Sequence, residues 1–121
     1  METIVVGVDG SAGGTQALKW AAREAQVRGW RLTAVMAWGL LDQHQATPAA
    51  TFDPEYGAAE AQAALDALIV QAVGEGASSQ VERRAVCDLA SRALIEAAMG
   101  ASLLVVGARG LGGFRGLLLG R

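Results

Sequence analysis

One cysteine, one histidine and few aromatic side chains set the first limits on this chain of 121 residues. Cys87 alone can build neither an internal disulfide nor a thiolate metal cluster, which points to a reducing, cytoplasmic setting. It reads instead as a small buried hydrophobe at a strand end. His44 has no second ligand-type residue at metal spacing and reads as a solvated loop histidine, so no metal site is expected. An excess of positive charge is missing too: 10 basic residues face 12 acidic ones, a formal net charge of -2. No broad field exists to hold a polyanion, and nucleic acid is not an expected partner. No uncharged apolar run approaches the roughly 20 residues that a membrane-spanning helix needs. Met1 to Val8 shows no basic leader, so a soluble protein that is not exported is expected. Catalytic groups are equally sparse. No Ser-His-Asp set or paired acid and base can be identified, which argues against a dedicated enzyme.

What the chain does have is apolar residues, 52% of the total, supplied largely by Ala and Val. Small residues let helices lie close on a sheet. Ile4-Val5-Val6-Gly7-Val8 is a nearly continuous β-branched run, as a strand buried on both faces requires. After Asp9-Gly10-Ser11, the apolar Ala17, Leu18, Ala21, Ala22 and Ala25 recur at helical spacing up to Gly29. Leu32 to Trp38 makes a second strand. Gly39 to Phe52 keeps no period and reads as a surface loop long enough to be a lid. Asp53-Pro54-Glu55 opens a long helix whose buried stripe is Ala61, Ala64, Leu65, Leu68, Ile69, Ala72 and Val73, stopped by Gly74 and Gly76.

Val81 to Val86 carries Glu82, Arg83 and Arg84 within a strand-like run, the mark of a solvated edge strand. Asp88 or Ser91 can cap a further helix bearing Ala90, Ala93, Leu94, Ala97 and Ala98 and ending at Gly100. Leu103 to Val106 is a second continuous apolar run and a second central strand, while Gly107 to Arg121 shows no strand or helix pattern. Trp20, Trp30 and Trp38 are read as packing residues. Strands alternating with helices make an α/β domain with an open parallel sheet. Two central strands and one edge give the order 3-2-1-4, with winding reversed between the first and fourth strands. Ligands of such sheets bind at the carboxyl ends flanking that reversal, which here are Asp9 and Gly107.

Six glycines follow from Gly107 onward, with Arg109 and Arg115 among them. Glycine backbone can approach a phosphate closely and turn several N–H groups toward one anion. No lysine of the P-loop kind follows these glycines. Three segments, Ile4 to Ser11, Leu103 to Gly110 and Gly113 to Gly120, resemble the universal stress protein family over essentially the whole chain. Gly107, Gly110 and Gly120 match the spacing of its ATP-binding branch: glycine, two residues, glycine, nine residues, glycine.

The resemblance implies a single Rossmann-like domain over residues 1–121, of the adenine nucleotide alpha hydrolase-like kind, that binds ATP with Mg²⁺ or another adenine nucleotide and regulates rather than catalyses. Slow hydrolysis or autophosphorylation stays open. It implies that Asp9 contacts the adenosine, that Ala37 lies near the adenine, and that Val8 and Val106 wall the base. Gly107, Gly110 and Gly120 would line the ribose and phosphates, and from the residues themselves Arg109 and Arg115 can add charge and bidentate contacts there. From the residues alone, Asp9 could equally cap the first helix or satisfy loop N–H groups. Arg121 stands where the family has Ser or Thr, and the usual last helix and fifth strand are missing from the pattern. The apolar Leu103 to Val106 edge is therefore expected to be unpaired and to drive a homodimer. The alternative reading is a homodimeric interaction module of the same fold that binds no nucleotide, and a weaker one is a flavodoxin-like enzyme.

Overall fold

Ile4, Val5 and Val6 are buried on both sides of strand β1 (Thr3–Gly7), which is what a β-branched run without charges can tolerate and a solvated edge could not. The computed structural model describes residues 2–38, 54–87, 90–107 and 118–120. Within them β1 pairs in parallel with β2 (Arg31–Trp38) on one side and with β4 (Leu103–Val105) on the other. Strand β3 (Val81–Cys87) adds in parallel to β2, so the four parallel strands take the expected order β3-β2-β1-β4.

Helix α1 (Ala12–Arg28) starts where the Ser11 hydroxyl accepts the Gly14 N–H at 3.0 Å. It ends at Gly29, whose φ of 71° is the left-handed cap that glycine adopts without strain. Its buried stripe includes Ala17, Leu18, Ala21 and Ala25. Helix α2 (Pro54–Val73) lies on the same face of the sheet with Ala61, Leu65 and Ile69 buried at four-residue spacing. Ala64, expected in that stripe, is exposed, because it flanks the Leu65 row rather than standing in it. Only Gly74 breaks the helix, at a φ of 89°; Gly76 lies inside a further turn of helix, α3 (Glu75–Ser78). Helix α4 (Ala90–Ala98) covers the opposite face, where Ala93 and Leu94 meet Val5, Val35 and Leu104.

Other expectations need correction. Leu118–Gly120 forms a strand, β5, antiparallel to β4, with Leu118 opposite Val105 and Gly120 opposite Leu103. The β4 edge is therefore paired by the chain's own tail, and an argument for self-association from an open edge falls away. A three-residue strand leaves too short a pattern to read from sequence. Cys87 is exposed, at the end of a strand with no neighbour beyond it among the described residues. Arg83 is not simply solvated: its guanidinium holds Asp66 of α2 at 2.7 Å and donates to the Ser78 carbonyl. Of the tryptophans, Trp30 packs on the core with Arg28 over its ring at 4.9 Å, whereas Trp20 is 45% exposed.

Candidate functional site

At the carboxyl ends of β1 and β4 the chain turns twice within a few residues of the same helix start. Val8 prolongs β1 and donates its N–H to the Val35 carbonyl at 2.9 Å, and its side chain is buried. Asp9 follows, partly buried, and Gly10 turns the backbone at a φ of 87° that other residues rarely adopt. One oxygen of Asp9, Oδ1, accepts both the Ser11 N–H at 2.9 Å and the Ser11 hydroxyl at 2.5 Å. The capping role open to Asp9 on sequence grounds thus belongs to Ser11, and Asp9 is held by the cap.

Gly107 is buried against this turn from the β4 side. A Cβ built on it would stand 2.5 Å from the Gly13 carbonyl carbon and oxygen and 2.8 Å from the Gly14 nitrogen. Those are main-chain atoms that cannot rotate aside, so only glycine fits. Ala37 and Val106 are partly buried and pack against the same cluster beneath α4. Between them Gly7 has no side chain, and the Leu94 methyl groups fill the space its Cβ would take, at 2.8 and 2.9 Å. The structure thus gathers Val8, Asp9, Ala37, Val106 and Gly107 at one end of the sheet. It does not bring Gly120 there: the residue lies opposite Leu103, at the amino end of β4. Antiparallel pairing of the tail runs it back along the strand, away from Gly107. Arg109 and Gly110 lie outside the described residues, as do residues 39–53 with His44, and Asp88, Arg115 and Arg121.

Residues that sequence reasoning did not assign to the site are Ser11, Gly13 and Gly14. The signal was present as Asp-Gly-Ser followed by two glycines in a helix start, where glycine is unfavourable unless space demands it. Trp38, at the carboxyl end of β2, carries a buried Nε1–H with no hydrogen-bond partner among the described residues. An unpaired buried donor costs about 1–3 kcal/mol. Among the described residues no group of three metal-ligating side chains converges, and no helix is long and apolar enough to cross a membrane.

Comparison with known proteins bears on this site. A family model described as "Universal stress protein family" matches residues 1–121. Universal stress proteins of Mycobacterium tuberculosis and Mycobacterium bovis are each 34% identical over 117 residues, 97% of this chain and 39% of theirs. The chain therefore spans about two fifths of the length of these curated relatives. Among solved structures, a universal stress protein in complex with cAMP is 30% identical with a TM-score of 0.65, over 93% of this chain and 80% of that one. A universal stress protein family member from Burkholderia pseudomallei is 27% identical with a TM-score of 0.65, over 88% and 80%. UspA from Lactobacillus plantarum, at 21% identity and a TM-score of 0.67 over 96% and 83%, shares the fold.

Proposed function

The chain belongs to the universal stress protein family, and from that membership we propose that it binds an adenine nucleotide, ATP with Mg²⁺ foremost, in the crevice between Asp9 and Gly107. The observation that carries the proposal is the meeting of these two strand ends at the winding reversal, where Gly107 lies against the backbone of the α1 start. In this reading the Asp9 carboxylate accepts from the adenosine, and Val8, Ala37 and Val106 wall the base. Main-chain N–H groups from Gly107 onward face the ribose and phosphates, with Arg109 and Gly110 following in sequence. The buried indole N–H of Trp38, without a hydrogen-bond partner among the described residues, lies at the same end of the sheet and supports a polar ligand there. A relative among the solved structures is in complex with cAMP, which supports an adenine nucleotide as the class of ligand.

The role is regulatory binding in the cytoplasm rather than rapid turnover. Lys19 is the chain's single lysine and sits in α1, so no lysine follows the glycines to meet transferring phosphates. One observation favours the second reading, an interaction module without nucleotide: Gly120 of the glycine pattern is paired at the far end of β4.

Calorimetry with ATP and Mg²⁺, together with mass analysis of anything released when the purified protein is denatured, separates the two. Saturable binding in the wild type, lost in Gly110→Val with the melting temperature retained, is the expected result. Equal affinity in Gly110→Val would remove Gly110 from the site, and a wild type that takes up no nucleotide would overturn the nucleotide reading.

A further inference from the structure

We infer that Ser11 and Gly14 are positioning residues for the Asp9 carboxylate, setting its orientation toward a bound nucleotide from the first turn of α1. The inference rests on the nucleotide-binding reading above and adds to it two residues that contact no ligand in that reading. The Ser11 hydroxyl has one proton, and the geometry directs it to Asp9 Oδ1 at 2.5 Å. With its lone pairs the Ser11 Oγ accepts the Gly14 N–H at 3.0 Å. Because the Ser11 N–H also reaches Oδ1 at 2.9 Å, two donors from one residue converge on a single carboxylate oxygen. Two such bonds fix the rotation of the carboxylate plane, and therefore the direction in which it meets a ligand.

Gly14 closes the arrangement sterically. A Cβ at this position would stand 2.9 Å from Asp9 Oδ1 and 3.3 Å from the Asp9 nitrogen. Oδ1 is the atom already held, so it cannot swing away without giving up both bonds from Ser11. The φ of Gly14 is not positive, so the backbone itself does not demand glycine. A helix start also gains nothing from one. Space for the carboxylate is what the glycine provides.

The test measures ATP·Mg²⁺ and cAMP affinity by calorimetry, and melting temperature, in the full chain. Ser11→Gly is the central variant, because glycine replaces a serine cap at little cost while removing the hydroxyl donor. Binding about tenfold weaker is expected, with the melting temperature nearly kept; Ser11→Thr, which restores the hydroxyl, returns affinity to within about threefold of wild type. Gly14→Ala weakens binding at least as much as Ser11→Gly. In an Asp9→Ala background, measured at nucleotide concentrations high enough for its weaker binding, Ser11→Gly and Gly14→Ala each change affinity by less than about twofold, since the group they position is gone.

If Ser11→Gly weakens binding equally with and without Asp9, the serine is only a helix cap and the inference falls. Unchanged affinity in Gly14→Ala, or in Ser11→Gly, overturns it as well. A wild type that binds neither nucleotide overturns the nucleotide reading itself and this inference with it, an outcome that no variant is needed to recognise.

Discussion

On one face of the sheet α1 and α2 lay Leu18, Leu65 and Ile69 over Ile4, Val6, Leu32 and Ala34, and every one of these side chains is buried. On the other, among the described residues, α4 alone covers Val5, Val35 and Leu104 with Ala93 and Leu94, and Glu82 and Arg84 of β3 are exposed. The difference shows in two neighbours on β3. Arg83 points to the doubly covered face, where α2 supplies Asp66 and the end of α3 supplies the Ser78 carbonyl. Arg84, one residue on, points to the other face and is exposed. Alternation along a strand thus gives one arginine a structural role and the other none. What decides between them is which helices lie opposite.

The largest test of this contrast is Leu65→Ala on the two-helix face. It removes a fully buried side chain between α2 and the sheet, and a loss of about 2–5 kcal/mol is expected in urea unfolding. Leu94→Ala on the thinner face should cost about 2 kcal/mol, the low end of that range, because a single helix can settle into the gap. Equal costs would mean that the two faces are packed alike.

Gly7→Ala sharpens the comparison on the thinner face. Its new methyl would collide with the Leu94 methyl groups at 2.8 and 2.9 Å and crowd Val106 at 3.3 Å. A destabilisation of about 1–3 kcal/mol is expected from overpacking. In the Leu94→Ala background the same methyl enters vacated space and its cost should disappear, a coupling visible in a double-mutant cycle. Additive effects would show that Leu94 does not fill the space beside Gly7.

The smallest effects separate the paired arginines. Arg83→Ala should cost about 1 kcal/mol, since its ion pair with Asp66 is partly solvated but its bond to the Ser78 carbonyl also ends α3. Arg84→Ala should fall within about 0.5 kcal/mol of wild type. Chemical denaturation of the two variants side by side is sufficient, and equal losses would remove the distinction between the faces.

Much of the architecture was legible in residues 4–6 and 103–105, because uncharged β-branched and leucine runs can only be central strands. The charges of Val81 to Cys87 placed β3 at the edge for the converse reason. The order of the four parallel strands followed from those two facts and from the handedness of crossovers. Strand β5 did not, because three residues after ten glycine-rich positions carry no period and gain their partner only once the β4 edge exists. At the site, Asp9 and Gly107 could be named because a winding reversal places strand ends together. Ser11, Gly13 and Gly14 were visible as letters but silent as roles. Ser11 enters through its bonds to the Asp9 carboxylate, Gly14 through a carboxylate oxygen 2.9 Å from its absent Cβ, and Gly13 through a backbone 2.5 Å from where a Cβ of Gly107 would stand.

By itself, then, the sequence determined the class of fold, the central strands and which strand ends meet at the winding reversal, since burial and chirality act on patterns already present along the chain. Only the tertiary structure decided that the tail closes the β4 edge and carries Gly120 away from the crevice, that Arg83 is tied down while Arg84 is not, and that glycine is required at 107. Each of these depends on which atoms meet across long separations in the chain, and close contact between backbones leaves no periodic trace in the residues that make it.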